Sequence, residues 1–557
     1  MNIRHDFALE AFVDFPDDAI TAQEPITPAH IDAMMRRLVE AGVRRVSWEV
    51  YGDGHGGLFI PAHDARWENM ARTYTGMGHN SLAVAVAAAH RHGLEIYAYF
   101  KPYETGCAAL FPDGSYEATV FGRTRQIGGR MTWMEPFVAD RPDLRIRRVD
   151  DLPTGLSSTP ICGLRLRKRD AAPTRVTADH LQLWASEQNY RYHRLDVPFT
   201  VHETIEPCPR DVYDLFSEQL LARRGEPQRV LHLRGFELRD PFVLVTTDLV
   251  DGPADFANTD LEMLAADDAS GREITGVVAS GTAIWFGEQV DFRRWGLVFD
   301  HGYNGQMMRL DDSNTNGRQG IVAFARGRNE YLPGALCETE TEVQQFWLRC
   351  LEGVLATGVD GVDLRDENHS THTNYPEEYG YNEVVLAGCR QRGQVDRATI
   401  GAVRGDAYTT FLTRAKELIN SRGASMRIHF QIDWYRPNPP LARRLAYPAN
   451  MDFQWQRWIE AGLADEAVLR FFALPFDSVF DDPVAQELTE RCRARGIPLT
   501  VNRYIRPDTL ADEFQRVRRD GRFAGFILYE TCNFLQIQPA GGCANTVPVI
   551  PTLQQMR

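Results

Sequence analysis

Long apolar runs are missing from this sequence. No stretch approaches the roughly 20 consecutive apolar residues needed to span a bilayer, so no membrane partner is expected. Paired cysteines are missing as well. The nine that occur (Cys107, Cys162, Cys208, Cys337, Cys350, Cys389, Cys492, Cys532 and Cys543) form no CxxC pair, which argues against a thiolate zinc site. Their odd number and irregular spacing suit free thiols in a reducing compartment. The opening Met1-Asn-Ile-Arg-His-Asp-Phe lacks a signal-peptide core, so a cytoplasmic protein is the default expectation. Positive charge is in deficit: 61 Lys and Arg stand against 76 Asp and Glu, for a net charge of −15. A phosphate backbone would be repelled, and nucleic acid is not expected as a partner. The basic cluster Arg165-Leu-Arg-Lys-Arg169 is followed at once by Asp170 and reads as solvated surface.

What is present is an ordinary globular balance, 43% apolar and 25% charged over 557 residues, enough for more than one folded unit. The first hundred residues alternate strand and helix. Leu9–Asp14 reads as a strand. Thr27-Pro28 then supplies an N-cap and a first-turn proline, and Ile31, Met34, Met35, Leu38 and Val39 recur at helical spacing up to Gly42. Val46–Tyr51 is a second strand, Ser81–His92 a helix, and Glu95–Lys101 a third strand.

The alternation then stops. From about Gly106 to Glu330, short β-type runs such as Phe242-Val-Leu-Val-Thr-Thr are punctuated by Pro, Gly and Asp, the pattern of a sandwich-like unit. Alternation resumes with strands at Gly358–Arg365, Arg427–Asp433, Ala467–Phe472, Leu499–Arg503 and Phe523–Glu530, separated by helical stretches. Eight strands with helices between them predict a (β/α)8 TIM barrel with a large β-rich domain inserted after strand 3. The expected division is 1–110 for the first three strands, 111–330 for the insert and its connections, and 331–557 for the other five. An open doubly wound sheet is the rival, weakened because no glycine-rich nucleotide fingerprint follows the first strand.

Side chains alternate along a strand, so one phase faces the helices and the other the barrel axis. Ile428, Phe430 and Ile432 oppose Arg427, His429, Gln431 and Asp433. Val46, Trp48 and Val50 oppose Ser47, Glu49 and Tyr51. Ile96, Ala98 and Phe100 oppose Glu95, Tyr97, Tyr99 and Lys101, and Val362 and Leu364 oppose Asp363 and Arg365. A barrel interior serving stability alone would hold Val, Ile and Leu, and burying this many polar groups is costly unless they are paired or used. Salt bridges of the Asp363–Arg365 kind are the bland explanation.

The densest cluster is Asp363-Leu-Arg-Asp-Glu-Asn-His-Ser-Thr-His372. Glycoside hydrolysis needs two carboxylates flanking the scissile bond, about 5 Å apart for retention and wider for inversion. Asp363, Asp366 or Glu367 would be one member; Asp433, Glu49 and Glu530 are candidate partners. Alternatively Asp366, His369 and His372 would bind a divalent metal in a lyase, isomerase or hydrolase. Tyr97, Tyr99, Trp434, Tyr504 and Tyr529 offer faces on which a sugar ring could stack, with Glu49, Lys101, Arg365, His369, Gln431, Asn502 and Arg503 as polar substrate contacts.

Gln454-Trp-Gln-Arg-Trp-Ile-Glu-Ala-Gly-Leu-Ala-Asp-Glu-Ala-Val, Gly358-Val-Asp-Gly-Val-Asp-Leu-Arg-Asp and His90-Arg-His-Gly-Leu-Glu-Ile-Tyr-Ala-Tyr-Phe resemble segments of bacterial glycosyl-hydrolase-like TIM-barrel proteins. The resemblance covers the barrel, not the insert, and implies a carbohydrate substrate; no cofactor is expected. The acidic pair it implies falls on Arg365 and Asp366. Only Asp366 matches, which leaves Asp363 and Glu367 open for the other role. A non-catalytic carbohydrate-binding barrel is the third reading that Arg365 suggests. An insert after strand 3 would emerge on the active face as a lid or wall, bind sugar, or serve a homo-oligomer.

Overall fold

The computed structural model describes residues 7–15, 18–19, 22, 24–51, 72–103, 112, 115, 141–150, 158–168, 170–187, 191–213, 220–248, 264–281, 321–326, 330–366, 376–431, 450–470, 475–504, 506, 508–545, 549 and 552–553. Eight parallel strands close into a barrel: β1 (Ala8–Val13), β2 (Val43–Tyr51), β3 (Glu95–Phe100), β4 (Gly361–Arg365), β5 (Ser425–Gln431), β6 (Glu466–Arg470), β7 (Leu499–Tyr504) and β8 (Gly525–Tyr529). Each strand pairs with the next, and β8 returns to β1 through Ala8–Ala11 against Gly525–Leu528. An open doubly wound sheet is thereby excluded.

The surrounding helices are α1 (Pro28–Ala41), α2 (Ser81–Arg91), α3 (Thr341–Leu355), α4 (Glu383–Gln391), α5 (Arg397–Ser421), α6 (Trp455–Glu460), α7 (Pro483–Arg495) and α8 (Leu510–Asp520). The start of α1 follows from its sequence. Pro28 occupies the first turn, the Thr27 amide donates to His30 Nδ1 at 2.9 Å, and Gly42 closes the helix at φ 87°. The apolar phase of each strand packs on this helical layer. Val46, Trp48, Ile96, Ala98, Val362, Leu364, Ile428 and Phe430 all join one large core cluster, and the Trp48 ring stacks on Phe15 at 4.8 Å. No described helix is long and apolar enough to cross a membrane, and every described cysteine is free.

Between β3 and β4 lie antiparallel strands. One sheet has the order Leu264–Asp267, Ile161–Arg167, Pro227–Leu238, Thr200–Pro207; a second has Val278–Gly281, Ile321–Ala325, Phe242–Thr247, Leu181–Ser186, His193–Arg194. Leu164, Leu166, Leu231 and Leu233 of the first sheet share a core cluster with Leu183, Val243, Val245 and Phe324 of the second, separate from the barrel core. Where the chain leaves and rejoins the barrel, Arg145–Arg147 pairs antiparallel with Tyr331–Leu336.

Candidate active site

Parallel register sorts the inward residues into levels, with alternate strands contributing to each. Near the N-terminal end of the barrel, Arg45 and Glu466 sit below Glu10, Tyr97 and Arg427. Ser47, Asp363, Val468 and Ile527 follow, then Phe12, Tyr99, His429 and Asn502. Above these come Glu49, Arg365, Arg470 and Tyr529, with Lys101, Gln431 and Tyr504 at the C-terminal mouth.

The lower levels are a closed electrostatic network. Arg427 donates to Glu10 Oε2 at 2.5 Å, Asp363 Oδ2 at 2.9 Å and Ser47 Oγ at 2.7 Å. Arg45 bridges Glu10, Glu95 and Glu466, and the Tyr97 hydroxyl donates to Glu466 at 2.7 Å. Gly361 makes room for this: a Cβ there would lie 2.6 Å from the Tyr97 ring. Asp363 is fully buried, with His429 Nδ1 3.4 Å from its other oxygen. Burial alone would raise its carboxyl, but the charges of Arg427 and His429 outweigh that and hold it below the ordinary carboxylate range. The partner of Asp363 is therefore Arg427 across the ladder rather than Arg365, and its place is the middle of the barrel rather than the mouth.

Two other sequence candidates face the helices. Asp366 follows β4 on the outward phase and is buried, and it accepts the Tyr408 hydroxyl of α5. Arg503 donates to Glu513 of α8 at 3.2 Å and lies over the Phe476 ring. Tyr97 is inward but belongs to the N-terminal network. The structure thus does not bring Asp363, Asp366, Tyr97 or Arg503 to the mouth. Glu367, His369, His372, Asp433 and Trp434 lie outside the described residues. Among the described residues no group of three or more His, Cys, Asp or Glu is arranged to hold a metal.

The mouth itself gathers Glu49, Lys101, Arg365, Gln431, Asn502 and Glu530 from the sequence reading. Lys101 Nζ is 2.6 Å from Glu49 Oε1, and both are buried. Arg365 Nη1 donates to the Tyr529 hydroxyl at 3.4 Å. Tyr504 donates to Glu530 Oε1 at 3.4 Å. Burial first, then the charge of Glu530, pushes the Tyr504 hydroxyl well above its ordinary range, so it remains a proton donor. Phe12, Tyr99, Val468, Ile527 and Tyr529 form an apolar floor, with Phe12 stacked on Tyr529 at 4.5 Å.

Glu530 would face the helices if β8 kept strict alternation, because Tyr529 is inward. Its backbone has φ 58° and ψ 92°, a left-handed conformation rare for a residue with a Cβ. That departure from strand geometry turns its carboxylate to the inward Tyr504. Sequence reasoning missed Arg470, whose guanidinium lies 4.2 Å from the Tyr529 ring centroid. The signal was available: Ala467 and Leu469 join the outer core while Val468 and Arg470 take the inward phase.

No protein-family model matches the chain, and no curated protein matches it. Solved structures do. The glycoside hydrolase domain of PelA from Pseudomonas aeruginosa is 12% identical, over 36% of this chain and 65% of that one, at a TM-score of 0.21; the match thus spans less than two thirds of that domain. The catalytic domain of β-amylase from Paenibacillus polymyxa is 10% identical, covering 100% and 98%, at 0.37. Morphinone reductase in complex with tetrahydroNAD is 9% identical, covering 94% and 82%, at 0.30. Likenesses this distant, two to glycoside hydrolases and one to a reductase, leave the chemistry to be read from the site. The barrel rests on its own strand register.

Proposed function

We propose that this chain is a glycoside hydrolase that works at the C-terminal mouth of its barrel, with Glu530 and Glu49 as the carboxylate pair and no cofactor. The observation that carries the reading is Glu530: a glutamate held in a left-handed conformation at a strand end, its carboxylate turned to an inward tyrosine hydroxyl. Such strain persists where surrounding structure enforces it, and it concentrates at functional sites. Glu49 stands on β2 and Glu530 just beyond β8, the two strands that flank β1. Carboxylates so placed can serve as acid and as nucleophile or base on either side of a glycosidic bond. Tyr504 and Tyr529 supply ring faces for a sugar, and the Lys101 ammonium neutralises Glu49.

Asp433 and Glu367 enter the same proposal as further carboxylates, two residues beyond the ends of β5 and β4. The chain between β3 and β4, with its own core, enters as an inserted domain on the active face. The experiment is a substitution series assayed on a panel of aryl glycosides and oligosaccharides. Glu530→Gln and Glu49→Gln are each expected to lower kcat by at least about 100-fold with the thermal midpoint retained. Wild-type turnover in both variants would refute the pair. If Asp433→Asn or Glu367→Gln then proved inactive, the partner would move to that residue.

A further inference from the structure

Tyr504 ends β7 and pairs in register with Tyr529, the residue before Glu530. Its ring meets the Tyr529 ring edge-on, with centroids 4.8 Å apart and planes at 81°, and Tyr529 in turn stacks on Phe12 at 4.5 Å. That packing fixes where the phenol oxygen lies. Arg470, the last residue of β6, hydrogen-bonds this oxygen, with its guanidinium carbon 5.8 Å from the ring centre. Glu530 Oε1 lies 3.4 Å from the same oxygen.

The direction of each bond follows from the groups themselves. A guanidinium has five N–H donors and no acceptor, so the Tyr504 hydroxyl accepts from Arg470. Its single proton is left to donate, and the Glu530 carboxylate receives it. Burial, and then the charge of Glu530, keep that proton on the phenol oxygen. Arg470, Tyr504 and Glu530 are thus polarised in one direction, which ends on an anion. A protonated Glu530 would forfeit the charge-assisted part of the bond. The left-handed backbone at Glu530 has a purpose in this arrangement, since it brings the carboxylate to the hydroxyl.

We propose that Tyr504, aligned by Arg470, is a positioning residue that holds Glu530 ionised and in one orientation, so that Glu530 is the nucleophile or base of the pair rather than its acid. This deepens the hydrolase reading and rests on it for the role of Glu530 in the reaction. The ionisation of Glu530 itself can be followed without a substrate.

The test is a carbon-13 NMR titration of the full chain labelled at its glutamate carboxyl carbons, with the Glu530 resonance assigned by its loss in Glu530→Gln. Tyr504→Phe keeps the ring packing and removes only the hydroxyl. The Glu530 midpoint is expected to rise by about one pH unit in Tyr504→Phe and to move in the same direction in Arg470→Gln. On aryl glycosides, the acid limb of the kcat/KM profile should move up with it, and kcat at the optimum should fall about tenfold with KM little changed. An unmoved midpoint in Tyr504→Phe would overturn the positioning role. Movement of the alkaline limb in place of the acid limb would overturn the assignment of Glu530 as nucleophile or base. A shift in Tyr504→Phe with none in a folded Arg470→Gln would overturn the part given to Arg470. If the midpoint rises but the parent cleaves no glycoside, the positioning of Glu530 stands and the hydrolase reading falls. If glycosides are cleaved with dependence on Glu530 and the midpoint is unmoved, the hydrolase reading stands and the positioning role falls.

Discussion

Glu530 combines a strained backbone with a carboxylate at the mouth, and the two can be separated by substitution. Glycine tolerates positive φ, so Glu530→Gly is expected to be as stable as the parent or up to about 1 kcal/mol more stable while losing turnover. Urea titration and a glycoside assay on one preparation would check both; lost stability together with lost activity would mean that the side chain serves the fold. Asp363 gives the opposite expectation. Its folded pKa lies below the ordinary 3.8, so its contribution is fully present above that value and is lost as pH falls through the lower folded value. Asp363→Asn should destabilise by about 3–5 kcal/mol near neutrality, because Arg427 keeps its buried charge and loses a partner. The gap between parent and variant should narrow below about pH 4 in denaturation curves. Why these residues were only half legible is a matter of period. Alternation tells which face a side chain takes, and it placed Asp363, Glu49 and Lys101 inward. It says nothing of height in the barrel, so Asp363 and Glu49 looked alike although only one is near the mouth. Nor can it register a break such as the one at Glu530.

At the level of elements, α5 stands out among the stretches between β4 and β5 that the sequence pattern marks only as helical. The helix actually spans Arg397–Ser421, capped by Asp396, whose side chain accepts the Thr399 amide at 2.8 Å. Gly401 and Gly405 lower helix propensity in its first half and hid it. Their reason is tertiary. A Cβ on Gly405 would collide with the backbone carbonyl of Asp452. Gly388 within α4 similarly leaves only 2.9 Å for a Cβ beside Val403 of α5. Gly405→Ala, which would favour an isolated helix, is therefore expected to destabilise the protein by about 1–3 kcal/mol in chemical denaturation. The same helix carries Arg404, fully buried and donating to both oxygens of Glu338 at 2.6 and 3.0 Å. Arg404→Met alone should cost about 3–5 kcal/mol, and adding Glu338→Gln should recover much of that loss, since the cost of breaking a buried pair lies in the orphaned charge. Additive losses would show that the pair has little coupling.

On the scale of the whole molecule, two hydrophobic clusters of the described residues are separate, one around the barrel and one between the antiparallel sheets. The eight-strand count and the break after strand 3 were legible because each strand is a short apolar-phased run followed by turn signals. Contacts between distant parts of the chain, such as Arg145–Arg147 with Tyr331–Leu336, were not, because pairing between remote strands leaves no local pattern. That pairing has a practical consequence. Arg147 and Tyr331 face each other across an antiparallel ladder, so a short turn can join them directly. A chain with residues 149–329 replaced by Asn-Gly is expected to fold as a barrel with a cooperative thermal transition; aggregation or a non-cooperative melt would show that the barrel depends on the replaced segment. The proposed function depends, finally, on whether the carboxylates at the barrel mouth do chemistry on a sugar. The most direct measurement is turnover of an aryl-glycoside panel, neutral and acidic, by the parent chain, Glu530→Gln and Glu49→Gln, with folding of each followed by thermal denaturation. Hydrolysis by the parent and loss of at least about 100-fold in both folded variants is the predicted result. Undiminished hydrolysis in the variants, or no hydrolysis of any glycoside by the parent, would contradict it.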